Sequence, residues 1–191
     1  MNVRMKQIIC VAIAASVTLL AGCSQPPKVK VTKWVHSKTQ AVQQQRQHQL
    51  AVLRAQGIQV FIQGESVTVV LPDEDVFVTN SANLRDEARE LLNHVSKFIK
   101  TYSVVNIGVN AYSDDQAWAG APVGRKLAMT NRQAQVVASY LWSTGIDMRF
   151  MTTQGHSNND SVAWNGTPKG RNFNKRVELT FRFYPHLVTY N

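Results

Sequence analysis

The chain reads RVELTFRF over residues 176–183, and this stretch is the clearest strand signal in the sequence. Apolar and polar side chains alternate along it, and the apolar set is Val177, Leu179, Phe181 and Phe183. A period of two residues is typical of a strand with one buried face. We therefore predict a strand over residues 176–183 that turns its apolar face to a core.

Upstream of this stretch, four more segments have strand character. Two β-branched runs, over 58–62 and 67–71, flank a short polar turn and predict a hairpin. Alternation over 105–110 predicts a third strand, and residues 149–153 predict a fourth.

Two helices are predicted between these strands. The first is capped by Asn83 and carries apolar residues at helical spacing over 84–99. The second begins at Thr130, which forms a capping-box pattern with Gln133, and it ends at Gly145. The order hairpin, helix, strand, helix, strand, loop, strand predicts an α+β fold, in which one mixed sheet has helices packed on one face.

The N-terminal 22 residues predict a secretory signal peptide. Arg4 and Lys6 precede an apolar run over 8–20, which is shorter than the roughly 20 residues that a membrane span needs. The sequence LAGC at 20–23 resembles the lipobox of bacterial lipoproteins, in which diacylglycerol is attached to the cysteine, the chain is cut before it, and the new amino terminus is acylated. Cys23 is therefore the expected lipidation site. No cofactor is expected beyond its covalent diacylglycerol and acyl chain.

The expected compartment limits the possible partners. Ser24, rather than an aspartate, follows the lipobox cysteine, which in lipoproteins implies the periplasmic face of the outer membrane. Loss of the signal peptide lowers the formal charge from +9 to +7. In the periplasm this charge favours peptidoglycan or lipid phosphates over nucleic acid. Cys10 leaves with the signal peptide and Cys23 is lipidated, so no thiol remains for a disulfide or a zinc site.

Residues 23–56 are predicted to be a lipidated tether, and residues 57–191 the folded domain. The tether contains Pro26 and Pro27 and a glutamine-rich stretch over 40–49. Helix-forming residues over 41–55 leave two alternatives, a solvated linker with at most a marginal helix or a partner-binding helix. We prefer the first, because the apolar stripe is thin.

Four groups of residues carry a specific resemblance. They are DVF at 75–77 with NL at 83–84, AYSD at 111–114, MTNRQA at 129–134 and GRNFNKRVE at 170–178. In this order, behind a lipobox, they resemble the signatures of the OmpA C-terminal domain family, over about residues 57–184. The resemblance implies an OmpA C-terminal-like β/α/β/α/β domain that binds the diaminopimelate peptide of peptidoglycan without cutting it.

The resemblance also implies binding residues. In the family an aspartate contacts the ammonium of diaminopimelate and a helix arginine contacts its carboxylates. Asp114 falls on the aspartate position, Gln133 stands where the arginine is expected, and Arg132 lies one residue earlier. Together with Arg176, these are the candidate peptidoglycan-binding residues. The alternatives are turn chemistry for Asp114, the capping box for Gln133 and exposed charges for the two arginines.

Four other residues have expected roles. Arg171 and Asn174 are expected to fasten the last loop by hydrogen bonds, and the alternative for Arg171 is an exposed cation that flanks the strand. Trp118 and Trp164 lie in polar loops, as candidate partner contacts or partly buried against the domain itself. No Gly-x-Ser-x-Gly, His-Glu-x-x-His or glycine-rich phosphate motif occurs, so we do not expect an enzyme.

Two functions of different class agree with these features. In the one that we prefer, the protein is a structural subunit of a type IV secretion outer-membrane core complex, among other secretion subunits and lipoproteins. The chain is similar to the OmpA-like lipoproteins of Dot/Icm systems, and the loop tryptophans and the altered arginine position suit a protein partner. In the alternative, it is a tether similar to the Pal lipoproteins, which links the outer membrane to peptidoglycan.

The lipobox assignment is directly testable. Cys23→Ser should leave an unprocessed precursor that incorporates no radiolabelled palmitate, because Cys23 alone supplies the acyl anchor. Cys10→Ser, within the signal peptide, is the matched control and should be labelled normally. Normal labelling of Cys23→Ser would contradict the assignment.

Overall fold

The fold is described from a computed structural model, which covers the backbone of residues 33–185 and the side chains of residues 39–185. The predicted signal peptide over 1–22, the lipidation site Cys23 and the first part of the tether lie outside the described residues. Within residues 33–185, no helix has both the length and the hydropathy of a membrane span.

Five strands form one sheet, and the helices connect them. The helices are α1 (Lys33–Ala55), α2 (Asp73–Val76), α3 (Ala88–Ile99), α4 (Val123–Ser143) and α5 (Pro168–Asn174). The strands are β1 (Gln59–Gln63), β2 (Ser66–Pro72), β3 (Val104–Tyr112), β4 (Met151–Gly155) and β5 (Arg176–Phe183). Their order in the sheet is β1-β2-β5-β3-β4. Only β3 and β4 are parallel neighbours, so the predicted α+β fold with a mixed sheet is confirmed.

The last strand in the sequence lies in the middle of the sheet. Leu179 of β5 stands opposite Val69 of β2 on one side and Val109 of β3 on the other. Of the apolar side chains predicted for β5, Val177, Leu179 and Phe181 are buried and Phe183 is partly buried. Phe181 packs edge-on against Phe98 of α3, with 6.3 Å between ring centroids. The opposite face is polar, as the bond between the hydroxyls of Thr68 and Thr180 shows. The helices therefore cover one face, as expected.

The strand termini lie along two opposite sides of the sheet, which we call edges in this sense only. The carboxyl edge is the side where β2, β3 and β4 end and where β5 begins. The edge where β3 and β4 begin is the amino edge, and β5 ends there. The nine residues of β3 separate the two edges by about 26 Å.

The predicted start of the second long helix was wrong. α4 begins at Val123, well before the predicted capping box at Thr130. Thr130 is instead fully buried within the helix, where its hydroxyl donates to the carbonyl of Leu127 (3.1 Å) and accepts from the amide of Ser157 (3.1 Å). A tertiary contact therefore explains this threonine. Gly145 follows the helix with φ 94°, in agreement with the predicted stop.

Two other helices also differ from expectation. α3 begins at Ala88 with Glu87 at its N-cap position, so Asn83 lies too far before the helix to cap it. The backbone amide of Asn83 donates to the hydroxyl of Ser81 at 3.1 Å. α5 was predicted to be a loop. Its N-cap is Thr167, whose hydroxyl accepts from the amide of Gly170 at 3.1 Å.

The second half of α1 packs on the domain. Leu53 is fully buried, Gln49 bonds His94 of α3 at 3.0 Å, and the Arg46 guanidinium lies 3.8 Å from the ring centroid of Tyr102. Arg46 also donates to the carbonyl oxygen of Thr101. The interpretation of 41–55 as a solvated linker is thus wrong for this half. Residues 38–185 belong to one compact unit.

The loop between β4 and α5 is held by Asn174, which is fully buried. Its amide oxygen accepts from the backbone of Val162 (2.8 Å) and Ala163 (2.9 Å). Its amide nitrogen donates to the carbonyl of Ala163 (2.8 Å) and to the side chain of Asn165 (2.8 Å). Arg171 donates to the carbonyl of Asn165 at 2.9 Å.

Asn174→Ala should therefore lower stability by about 2 to 4 kcal/mol, because several buried polar groups lose their partner at a cost of roughly 1 to 3 kcal/mol each. Asn172→Ala is the matched control on the same helix, since its exposed amide makes one long bond, of 3.4 Å, to Glu74. Chemical denaturation of the two variants measures the difference. Equal loss in both would show that the loop is held in some other way.

Candidate functional site

Two carboxylates lie close together at the carboxyl edge. Asp73 follows β2 as the first residue of α2, and Asp114 follows β3. The two carboxylates are close enough that the charge of Asp114 acts to raise the pKa of Asp73. Asp114 is only 4% exposed, and one of its oxygens accepts from the amide of Ala117 at 2.5 Å. Asp114 therefore performs the turn chemistry that was weighed as its alternative role, and it does so from a buried position.

Gln133 joins α4 to this acidic pair. Its amide nitrogen donates to Asp73 at 2.7 Å and to the carbonyl of Ser81 at 3.0 Å. Both amide hydrogens are therefore used inside the protein, and only 1% of the residue is exposed. The predicted capping-box role was wrong, because α4 begins ten residues earlier, at Val123.

Asp73 has an altered acidity. Burial raises the pKa of its carboxyl from 3.8 to about 6, although the charge of Lys175 and the bond from Gln133 both act to lower it. The neighbouring Asp114 acts to raise it further. A glutamine can bond to a carboxylate without neutralising it, so the charge that partly offsets Asp73 comes from Lys175 and not from position 133.

Arg176 is buried rather than exposed. Its guanidinium lies 4.0 Å from the ring centroid of Tyr112, and its Nε donates to Glu178 at 2.7 Å. His156 stacks on the same tyrosine, with 4.5 Å between ring centroids. Among the contacts of residues 39–185, none joins Arg176 to Asp114 or Gln133. The alternative of an exposed flanking cation was wrong.

The remaining candidate residues have different surroundings. Arg132 is exposed on α4. Trp118 is half-buried, and its indole nitrogen donates to the carbonyl of Asn80 at 3.0 Å, so part of it serves the domain itself. Trp164 is 76% exposed.

Sequence reasoning missed Asp73, although an acid directly after a strand that ends beside Asp114 is a recognisable signal. It also missed two unsatisfied acceptors. The hydroxyl of Ser113 and one oxygen of Asp115 are buried and have no hydrogen-bond partner in the described part of the chain. Buried polar atoms rarely stay unpaired, so these oxygens are suited to a ligand that donates hydrogen bonds. No group of three His, Cys, Asp or Glu side chains within residues 39–185 is arranged to hold a metal ion.

A mixed sheet with helices on one face, and an acidic site at its carboxyl edge, defines a class of α+β domain. A family comparison is more specific, because the model of the OmpA family matches residues 76–175. The chain belongs to the OmpA family.

Individual relatives agree with this family. The probable lipoprotein YiaD of Escherichia coli is 29% identical over 128 residues, which cover 67% of this chain and 57% of YiaD. The peptidoglycan-binding protein ArfA of Mycobacterium tuberculosis is 29% identical over 103 residues, which cover 54% of this chain and 30% of ArfA. The chain thus spans little more than half of one relative and less than a third of the other.

A solved structure is also similar. The cell wall anchor of the type VI secretion system of Pseudomonas aeruginosa is 27% identical and superimposes with a TM-score of 0.65. The match covers 72% of this chain and 96% of that structure. By their names, YiaD is a probable lipoprotein, ArfA binds peptidoglycan, and the Pseudomonas protein is a cell wall anchor.

The raised pKa of Asp73 predicts a pH dependence. Because the folded-state pKa lies above the ordinary 3.8, the folded state holds this proton more tightly than the unfolded chain does. The resulting stability is complete below pH 3.8 and is lost as the pH rises through about 6. Asp73→Asn keeps an acceptor for Gln133 and removes the titration. The difference in melting temperature, Asp73→Asn minus wild type, should therefore increase as the pH rises from about 4 to about 6. A constant difference across this range would contradict the assignment.

Proposed function

We propose that this protein is a non-enzymatic, cell-wall-anchoring lipoprotein of the outer membrane. In this proposal the lipid on Cys23 holds the outer membrane, and the OmpA-like domain binds peptidoglycan at its carboxyl edge. Membership of the OmpA family supports it, as do the names of ArfA and the type VI cell wall anchor.

One observation carries the assignment of the site. Asp73, Asp114 and the unpaired oxygens of Ser113 and Asp115 gather acceptors and negative charge at one edge. The ammonium of diaminopimelate is a cation with three hydrogen-bond donors, so it can pair with these oxygens and offset their charge. A peptide stem that carries this amine is the ligand with the matching chemistry.

In this proposal the carboxylates of the ligand are bound less strongly than they would be by an arginine at position 133. The family arginine would form a charge-assisted pair with a ligand carboxylate, whereas Gln133 offers a neutral amide that is already bonded to Asp73 and Ser81. Arg132 is exposed nearby on α4 and is the remaining cation for this role. We therefore expect the wall to be bound, with a lower affinity than in relatives that keep the arginine.

Co-sedimentation with purified sacculi tests the proposal. Asp114→Asn should weaken binding by about tenfold, since a charged hydrogen bond contributes roughly 1.5 to 3 kcal/mol. The matched control is Asp147→Asn, because this acid precedes β4 at the amino edge and pairs with Arg149 at 2.6 Å. Melting curves of both variants separate lost binding from lost folding. Wild-type protein that stays in the supernatant would overturn the proposal.

Gln133→Arg extends the same experiment. The new guanidinium should raise the affinity for a diaminopimelate muropeptide by about tenfold, and Asp114→Asn should cancel most of that gain. Arg132→Ala reports whether the exposed arginine already does this work. If it abolishes wild-type binding, Arg132 and not position 133 contacts the carboxylates.

A second candidate function is a structural subunit of a type IV secretion outer-membrane core complex, similar to the Dot/Icm lipoprotein DotK, also called IcmN. Gln133 favours it, because this side chain ties the domain together and offers no charge to a ligand. The exposed Trp164 also favours it, as an aromatic anchor for other secretion subunits. Cross-linking in intact cells distinguishes the two functions. A reproducible set of secretion subunits, lost in Trp164→Ala, would support the complex.

A further inference from the structure

The amino edge carries several exposed apolar side chains. Their exposed fractions lie between 45% and 57%, and they are Ile62, Trp142, Met148, Phe150 and Tyr184. We name these five residues the amino-edge patch. Their shared location at one edge makes this surface a candidate binding surface.

Backbone and side-chain contacts bring these segments to one edge. The end of α4 meets the end of α3, where the hydroxyls of Thr144 and Ser96 bond at 2.7 Å. The amide of Tyr184 donates to the carbonyl of Ser103, just before β3, at 2.9 Å. Met148 and Phe150 form the 3₁₀ turn that leads into β4. Ile62 lies near the end of β1, beside the start of β2.

Cations surround the patch. Lys97 and Lys100 lie at the end of α3, and Arg182 lies near the end of β5, all of them exposed. Arg149 is also there, but Asp147 pairs with it at 2.6 Å. The other acid at this edge is Glu65, in the hairpin turn. An excess of cations around exposed tryptophan and tyrosine is the composition of a surface that contacts phospholipid head groups.

The path of α1 also leads to the amino edge. Along α3, the contacts of α1 move from Thr101, which bonds Arg46, back to His94, which bonds Gln49. The two helices are therefore antiparallel, and α1 passes the end of α3 at the amino edge. Residues 38–45 of α1, which belong to the same compact unit, therefore extend beyond that edge. The amino-terminal end of this compact unit thus lies at the amino edge, beside the patch.

We propose that the amino-edge patch rests on the phospholipid surface of the membrane that holds the lipid anchor. Trp142 and Tyr184 lie at head-group level, and Lys97 and Arg182 face the lipid phosphates. The carboxyl edge, about 26 Å away, then points toward the wall. This inference rests on the proposed lipid anchor, and it adds an orientation that the anchor alone does not impose.

Fluorescence quenching by brominated phospholipids tests this contact. The lipidated full chain is reconstituted into vesicles of phosphatidylethanolamine with a minor fraction of phosphatidylglycerol, and co-flotation is measured first. Trp142→Phe should lose a quenched component of the tryptophan emission. Trp164→Phe should lose only unquenched emission, because Trp164 lies in the loop after β4, at the carboxyl edge.

Charge reversal provides the second measurement. Lys97→Glu combined with Arg182→Glu should reduce the quenching of Trp142 and abolish its dependence on salt. The matched control reverses two cations toward the carboxyl edge, Lys169→Glu with Arg125→Glu, and should change neither.

The outcomes separate the two proposals. A chain that does not float with vesicles overturns the anchor and this inference together. A chain that floats but whose Trp142 is not quenched overturns the membrane contact alone, and the patch is then a surface for a protein partner or a second copy of the chain.

Discussion

The last strand of the domain must enter the middle of its sheet, and the rest of the fold depends on this insertion. β5 is bonded to β2 on one side and to β3 on the other, and those two strands have no contact in the sheet except through it. The core of Val69, Val109 and Phe98 closes only when Leu179 and Phe181 arrive. Contacts between residues so far apart in sequence are slow to form. The domain therefore completes its fold only after the end of the chain is available.

In the proposed wall-binding site, Gln133 stands at the position where the family resemblance places an arginine. An arginine there would carry charge to a ligand, whereas the glutamine uses both amide hydrogens to join α4 to Asp73 and to Ser81. With glutamine at this position, Lys175 is a nearby cation that acts on Asp73, and burial still raises the pKa of Asp73 to about 6. Structural stability and ligand chemistry are thus coupled at one side chain. The two candidate functions assign different roles to this residue. In wall binding Gln133 is part of a weakened ligand site, whereas in a secretion complex its role is structural.

Local patterns predicted the sheet well and the helix starts poorly. Alternation along β5 and β3, and the hairpin of β1 and β2, are visible because burial on one face imposes a period of two. Thr130 and Gln133 imitate a capping box, yet their partners are Ser157 and Asp73, which are far away in sequence. No local pattern reports such contacts. The cap of α5 was readable, since a threonine followed by a proline commonly starts a helix.

In the proposed lipid-anchored chain, α1 would also limit how far the domain can lie from the membrane. Its 23 residues span about 34 Å as a helix, whereas the same residues fully extended would span about 76 Å. For a chain held by lipid at Cys23, coiling therefore limits the width of the gap that one molecule bridges. A wider gap would have to unwind the helix from its amino end, and each released residue adds about 2 Å. Arg46 and Leu53 would resist that unwinding, so in the proposed anchored state the envelope spacing would be mechanically linked to the docking of α1.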